Sequence, residues 1–382
     1  MNKAGKILAV NPPYAIPGGE VSIECENFQI SDYSDYGCFF DGQAARIVAA
    51  SSKRVLAIVP EVFDTADVEV YLESGGMRSE PFNIKVGKKL ADGLHLVANP
   101  AVDPKDNSII VTRSGSRGQK LPVTLLRLET DGYLSEMQAD VMNPTGIAFD
   151  RNGEMFVTNR ADGEVYRVSR DDDAIPVSFE LGIATGIAFD RNGELFVTNR
   201  ADGEVYRVSR DDDAIPVSFE LGIATGIAFD REGEMFVGDR SGTIYRVKGF
   251  DASESFAILE PSVSAFHLAF APDGRLFVTA PKLSSFDAVY AFDSKGYEAI
   301  FARGLGRPQG LAFDNSSNLY VGACFEGRHG IVKISPNGTK SELFVAGMNI
   351  VGLCFTRKGE LIAATNDAIY SLPIGIYGTL LD

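Results

Sequence analysis

Three observations predict an all-β chain, with an N-terminal Ig-like β-sandwich followed by a β-propeller of four-stranded blades. A 40-residue text recurs from residue 93 onward in the 382-residue chain. Each copy carries four short strand signals separated by turn dipeptides, and helical 3.6-residue periodicity is absent across the unit.

The repeat is explicit. Residues 146–185 read GIAFDRNGEMFVTNRADGEVYRVSRDDDAIPVSFELGIAT, and residues 186–225 repeat this with one change, Met155 to Leu195. A diverged copy starts at Gly226 (GIAFDREGEMFVGDRSGTIYRV) and weaker ones at His267, Gly310 and Gly352. A degenerate copy starts at Gly93 (GLHLVANPAVDPKDNSIIVT). In the first copy GIAFD is an inner strand and Arg151-Asn152-Gly153 a tight turn. EMFVTN is the second strand and Ala161-Asp162-Gly163 the next turn. EVYRVSR is the third strand, and IPVSFEL follows the polar loop at residues 171–173 as the fourth. Asn-Gly and Asp-Gly supply the positive φ of hairpin turns. Four antiparallel strands per unit predict one propeller blade, and closing the array into a ring removes exposed edges.

Seven anchors fill residues 93–382, so seven blades are expected. The near-identical pair indicates recent duplication or engineering, and removing one copy leaves a six-bladed alternative. The last unit, residues 352–382, is short. Its fourth strand comes either from IYGTLLD or from the linker at residues 84–90, and the sequence leaves both open.

Residues 1–88 carry a different pattern. ILAVNPPYAIPGGEVSIECENF opens with a Pro-rich turn, then Gly18-Gly19, then alternating Val21 and Ile23. YGCFFDGQAARIVAASSKRVLAIVPE and ADVEVYLESGG continue as short alternating strands, as in a sandwich of about seven strands. Through Pro12, Gly18, Gly19, Val21, Ile23, Asn27, Phe28 and Pro60 this segment resembles the IPT/TIG family. The resemblance implies a spacer, dimerisation or binding module. Residues 89–382, through the repeated G-[IL]-A-F-D-x-x-G-x-[LMF]-[FY]-V element, resemble the NHL and gluconolactonase (regucalcin)-like propellers. That element specifies architecture far better than activity.

Composition narrows the function classes. Lys plus Arg is 36 and Asp plus Glu 52, a net charge of −16 that opposes nucleic acid and anionic membranes. Each copied blade holds eight acids and four arginines, so the two copies supply half of that charge. No apolar run reaches the roughly 18 residues of a membrane span. Residues 1–19 lack a signal-peptide core, so a cytoplasmic location is expected. Four cysteines make no disulfide scaffold, although Cys25 and Cys38 flank one loop and a disulfide there is an option. Cys324 and Cys354 read as buried apolar residues. Asn315 and Asn337 head glycosylation sequons, but both stand where hairpin turns favour Asn.

Candidate site residues follow from blade geometry. The link entering each inner strand and the turn after each second strand share one rim. The entry positions are Asp92, Thr145, Thr185, Thr225, Phe266 with His267, Gln309 and Val351. The turns add Arg113, Asn159, Arg160, Asn199, Arg200, Asp239 and Arg240. Channel mouths commonly bind ligands. Arg113, Arg160, Arg200 and Arg240 would bind carboxylate or phosphate bidentately. The plainer alternative is that these arginines recur because blades were copied, and pair with nearby acids.

The lactonase resemblance implies one divalent cation in the channel, such as calcium, held by a Glu near the first blade and by Asn and Asp at P-N-G and D-G positions. Here Asp92 stands for the Glu, Thr145 and Gln309 for the P-N-G residues, and Thr185, Thr225 and Val351 at the other entries. That is a weak oxygen cage for a hard cation. His95, His267 and His329 form no zinc motif, and neither a GxSxG elbow nor a P-loop occurs. His267 replaces the glycine of other blades and either lines the channel or is structural. The acidic loops 171–173 and 211–213 would attract calcium or simply be solvated turns. The expected function is therefore a non-catalytic binding or scaffold protein without a cofactor. Its rim would engage a protein or small-molecule ligand, with a metal-dependent lactone hydrolase as the alternative.

Overall fold

A computed structural model describes residues 5–30, 35–61, 66–95, 100–113, 121–209, 214–283 and 286–378. All regular structure among them is β. Seven antiparallel four-strand units form the blades: five are separate sheets, and those of blades 5 and 6 are joined with strands of the sandwich in one 14-stranded sheet. The copied text folds as the sequence predicts. Blade 2 has strands Pro144–Phe149, Met155–Asn159, Glu164–Val168 and Ala174–Ser178, and blade 3 repeats them 40 residues on, starting at Ala184–Phe189. Gly153 and Gly193 take φ of 70° and 81° in their hairpin turns.

Consecutive blades share buried apolar clusters all the way round. Val165, Leu181, Leu195 and Val197 join blades 2 and 3, and Val205, Leu221, Met235 and Val237 join blades 3 and 4. The ring closes through Leu94, Ile109, Val111 and Leu126 of blade 1 against Ile362, Ala364 and Ile369 of blade 7.

The first glycine of the repeated motif has a specific task. A Cβ on Gly146 would lie 2.7 Å from the Thr185 carbonyl oxygen, and one on Gly186 would lie 2.5 Å from that of Thr225. Only glycine lets neighbouring inner strands approach this closely.

Closure of the last blade is decided. Its outer strand is Lys88–Ala91, antiparallel to Ile369–Pro373, with Lys89 opposite Tyr370 and Ala91 opposite Ile369. The linker supplies it, and the expected boundary at 88/89 falls one residue inside this strand. Gly93 does not open an inner strand. Leu94 turns into the blade 7–blade 1 core, and the inner strand of blade 1 is the two-residue Ala101–Val102.

Residues 6–86 form two facing sheets around one core, which includes Val21, Ile23, Phe28, Phe40, Val55 and Val70. The strand Glu20–Glu26 buries alternate residues, as its sequence pattern requires. Cys25 and Cys38 lie in this core as free thiols, and burial raises them to about 11 and about 12.

Sandwich and propeller share a sheet. The short strand Tyr14–Ala15 pairs in parallel with Lys85 and Val86 on one side and with Val345 and Ala346, in the outer strand of blade 6, on the other. The Ile16 amide donates to the Ala346 carbonyl at 2.8 Å. Gly87 donates to Ala15 at 2.7 Å, immediately before the ring-closing strand begins.

Candidate functional site

The rim made by the inner-strand links and the turns after the second strands is built identically in blades 2 and 3. Asn159 is fully buried, and its Oδ1 accepts from the Asn143 and Ala161 amides at 3.1 and 3.0 Å. Asn199 does the same for Ile183 and Ala201. In blade 4 Asp239 takes this place and accepts from the Ile223 amide at 2.7 Å. These residues are keystones that fix link to turn, so they are unavailable to a ligand.

The residue after each keystone is an arginine on the rim surface. The Arg160, Arg200 and Arg240 amides donate to the carbonyls of Asn143, Ile183 and Ile223 at 3.2, 2.9 and 3.1 Å. Among the described residues no carboxylate lies within ion-pair distance of the three guanidinium groups, so the expectation that they pair with nearby acids does not hold. The next arginine of each unit is different: Arg207 pairs with Glu194 at 2.8 Å, Arg246 with Glu234, and Arg167 with Glu154 at 3.8 Å. Burial, and then the neighbouring positive charges of Arg240 and Arg160, pull the Arg200 guanidinium below its ordinary range. The three arginines thus share one electropositive neighbourhood. Nη2 of Arg240 donates to the Val263 carbonyl at 2.8 Å, and its buried Nε lacks a partner.

Arg113 lies apart from this cluster. It borders a cleft of about 610 Å³ lined also by Asp92, Gly93, Leu94, Tyr133 and Glu136, on the outer side of the blade 7–blade 1 seam. Asp92 sits at the end of the ring-closing outer strand, exposed and paired with Lys89 at 2.8 Å. Hydrogen bonding from Lys89 lowers its carboxyl below the usual range. It is therefore far from the inner-strand entries that sequence geometry assigned to it.

The threonines meet each other rather than a ligand. Thr158, buried in the second strand of blade 2, accepts from the Gly146 amide at 2.8 Å and donates to the Thr185 carbonyl of blade 3 at 3.0 Å. Thr145 Oγ1 lies 3.0 Å from Thr158 Oγ1 and 3.2 Å from the Ala184 carbonyl. Thr185 and Thr198 repeat the arrangement, and Thr225 donates to Gly238 at 3.2 Å. These hydroxyls stitch blade to blade.

His267 opens the inner strand of blade 5 and is half-buried. Desolvation pushes its imidazole down to about 4, so it is neutral at neutral pH. His95 and His329 are exposed. Gln309 is half-buried, and its carbonyl accepts from Thr279 at 2.8 Å in the same blade-to-blade stitch. Phe266 is buried, and Val351 packs against the ring-closing cluster.

Among the described residues no group of three or more His, Cys, Asp or Glu side chains is placed to hold a metal ion. The donors that the lactonase resemblance assigns do not converge. Asp92 follows an outer strand, and the threonine hydroxyls are committed to backbone and hydroxyl partners in their own and neighbouring blades. The set does not fit a divalent cation, and no step is derived through one. In the acidic loop at 171–173, Ser169 Oγ accepts from the Asp171 and Asp173 amides at 3.2 and 3.1 Å, and Asp172 accepts from the Gln138 amide at 2.9 Å. The loop at 211–213 lies outside the described residues.

Sequence reasoning missed the apolar residues between the arginines. Met142, Ile183, Ile223 and Val263 are 36%, 39%, 42% and 41% exposed on the same rim. The available signal was an aliphatic residue in a link, one or two positions outside the strand core.

No protein-family model matches the chain, and no curated protein matches it significantly. Solved structures do. A virginiamycin B lyase from Staphylococcus aureus superposes with TM-score 0.61 at 12% identity, over 74% of this chain and 96% of that one. A streptogramin B lyase gives TM-score 0.60 at 14% identity over 75% and 96%. An auxiliary nutrient binding protein from Bacteroides thetaiotaomicron VPI-5482 spans 97% of this chain and 98% of its own, with TM-score 0.48 and 13% identity. At such identities the likeness is one of fold, and the two lyases agree with a β-propeller. No helix among the described residues is long and apolar enough to cross a membrane.

Proposed function

We propose that the protein is a non-catalytic binding protein that holds an anionic ligand on the propeller rim over blades 2 to 4, with Arg160, Arg200 and Arg240 as the binding groups. One observation carries this reading: three neighbouring guanidinium groups lack a carboxylate partner among the described residues, while the next arginine of the same units is ion-paired. Clustered like charge costs stability, and a ligand carboxylate or phosphate would offset it with charge-assisted bidentate hydrogen bonds. The sandwich acts as a spacer fixed to the ring, a role its IPT/TIG resemblance supports.

The test is calorimetric titration of the protein with citrate and with tripolyphosphate at low and moderate salt, repeated on the Arg160→Gln/Arg200→Gln/Arg240→Gln variant. Binding that weakens with salt and is lost in the variant supports the reading. Equal heats from both proteins overturn it. Lactone turnover abolished by a chelator would establish the hydrolase alternative instead.

A further inference from the structure

The rim is not only basic. Ile183 and Ile223 supply the carbonyls that fix the amides of Arg200 and Arg240, so an exposed aliphatic residue is joined through the backbone to each of these two arginines. Val263 continues the series, held by Arg240. Met142 precedes Asn143, which fixes Arg160. Each of these side chains exposes more than a third of its surface, and the links of Ile183 and Ile223 bury the neighbouring Leu181 and Leu221. Arginine beside aliphatic surface, with no described acid in ion-pair range, is the composition of an interface core rather than of a solvated rim.

Spacing adds a constraint. Blades are sheets packed face to face, about 10 Å apart, so equivalent rim residues in successive blades repeat at about that interval. A chain in the extended polyproline II conformation rises about 3.1 Å per residue with three residues per turn, so every third side chain of such a peptide shares one face and recurs about every 9 Å, close to the blade interval. A compact anion would engage the arginines and leave the aliphatic residues in water.

We propose that the rim over blades 2 to 4 docks an extended acidic segment of a partner protein, its carboxylates on Arg160, Arg200 and Arg240 and its aliphatic side chains over Ile183, Ile223 and Val263. The proposal deepens the anion-binding reading and rests on it. Charge complementarity selects the acidic residues and the exposed aliphatic row selects a peptide. A polysaccharide would more naturally use stacked aromatic rings, yet the chain has no Trp and Phe266 at the next entry is buried.

The experiment titrates the full chain, by fluorescence anisotropy, with a labelled peptide of repeating Glu-Leu-Ser. A peptide of the same composition with its acids grouped at one end, citrate, and polygalacturonate serve as comparisons. The periodic peptide should bind at least tenfold more tightly than the grouped one. Arg200→Gln and the double variant Ile183→Ser/Ile223→Ser should each weaken it about tenfold, measured at a temperature well below the melting transition of every variant. Citrate binding that depends on the arginines, with no peptide binding, sinks the docking proposal and leaves the anion-binding reading standing. Failure of citrate and peptide alike sinks both. Equal affinity for the two peptides, or polygalacturonate binding tighter than peptide and indifferent to the isoleucine change, also overturns the proposal.

Discussion

Stability between pH 4 and 6.5 should depend on His267. Its imidazole is held at about 4 by desolvation at the entrance of the blade 5 inner strand, against about 6.5 in an unfolded chain. The folded-state value is depressed, so in this window the unfolded chain binds the extra proton. Stability contributed by the neutral imidazole is intact above about pH 6.5 and is lost as pH falls toward 4. Each pH interval of one between the folded and unfolded values is worth about 1.4 kcal/mol, so the full loss is at most about 3.5 kcal/mol, less where solvent screens the charge. Carboxylates also titrate here, so the informative quantity is the difference between wild type and His267→Gln, which stays neutral throughout. Urea midpoints measured at half-unit steps should show wild type losing stability relative to the variant as pH drops from 6.5 to 4. The difference should be flat above 7. Parallel curves across the whole range would refute the desolvation of this side chain at the strand entrance.

Three further outcomes are expected. Thr158→Val keeps shape but leaves the Gly146 amide and the Thr185 carbonyl without their partner, and should cost about 1 to 3 kcal/mol in urea unfolding; a loss under about 0.5 kcal/mol would contradict the stitch between blades. Gly186→Ala sets a Cβ 2.5 Å from a backbone carbonyl, whereas Gly193→Ala meets no atom within 4 Å and pays only for its φ of 81°. The first should therefore lower the melting temperature more than the second, and the reverse order would refute the close approach of inner strands. A chain beginning at residue 88 retains the ring-closing strand and one beginning at residue 92 lacks it, so the shorter should unfold at lower urea by roughly 2 to 4 kcal/mol, at about 1 kcal/mol for each ladder hydrogen bond. Coincident midpoints would mean that the strand contributes little.

What was legible in the sequence was what is locally encoded. Strand, turn and repeat length follow from alternation and from Asn-Gly or Asp-Gly pairs, and blades 2 and 3 fold as their text reads. The common placement of Arg160, Arg200 and Arg240 follows from a fixed offset after the second strand in copied blades, whereas Arg113, in the degenerate first unit, falls outside their cluster. Their pairing state was not legible, since whether a guanidinium meets a carboxylate depends on how separate strands and blades pack. The threonines illustrate the same limit. Thr145 and Thr185 lie in their inner strands, but their hydroxyls meet those of Thr158 and Thr198 in the second strands, which blade spacing turns onto the neighbouring carbonyls. Gly93 and Asp92 were misplaced because GLHL imitates the GIAF motif. Leu94, drawn into the blade 7–blade 1 cluster, keeps that stretch in the crossing between outer and inner strands.

The ring-closing strand explains why the sandwich is fixed to the propeller. Phe82–Val86 ends a sandwich sheet, Gly87 follows, and Lys88–Ala91 completes blade 7. No residues are left over for a flexible linker. A Cβ at Gly87 would come within 3.0 Å of Ile16 and Leu372, so sandwich, junction and blade 7 are packed together at that point. A second tie forms one blade away, where Tyr14–Ala15 hydrogen-bonds to the outer strand of blade 6 and Tyr14 packs on Phe344 with ring centroids 4.8 Å apart. Two attachments on adjacent blades restrain rotation as well as separation. Swinging the sandwich would break the parallel ladder or pull the closing strand from blade 7, and either exposes backbone donors and acceptors that are now paired. The sandwich therefore holds the ring at a set orientation, with the arginine rim of blades 2 to 4 across the ring from its attachments on blades 6 and 7.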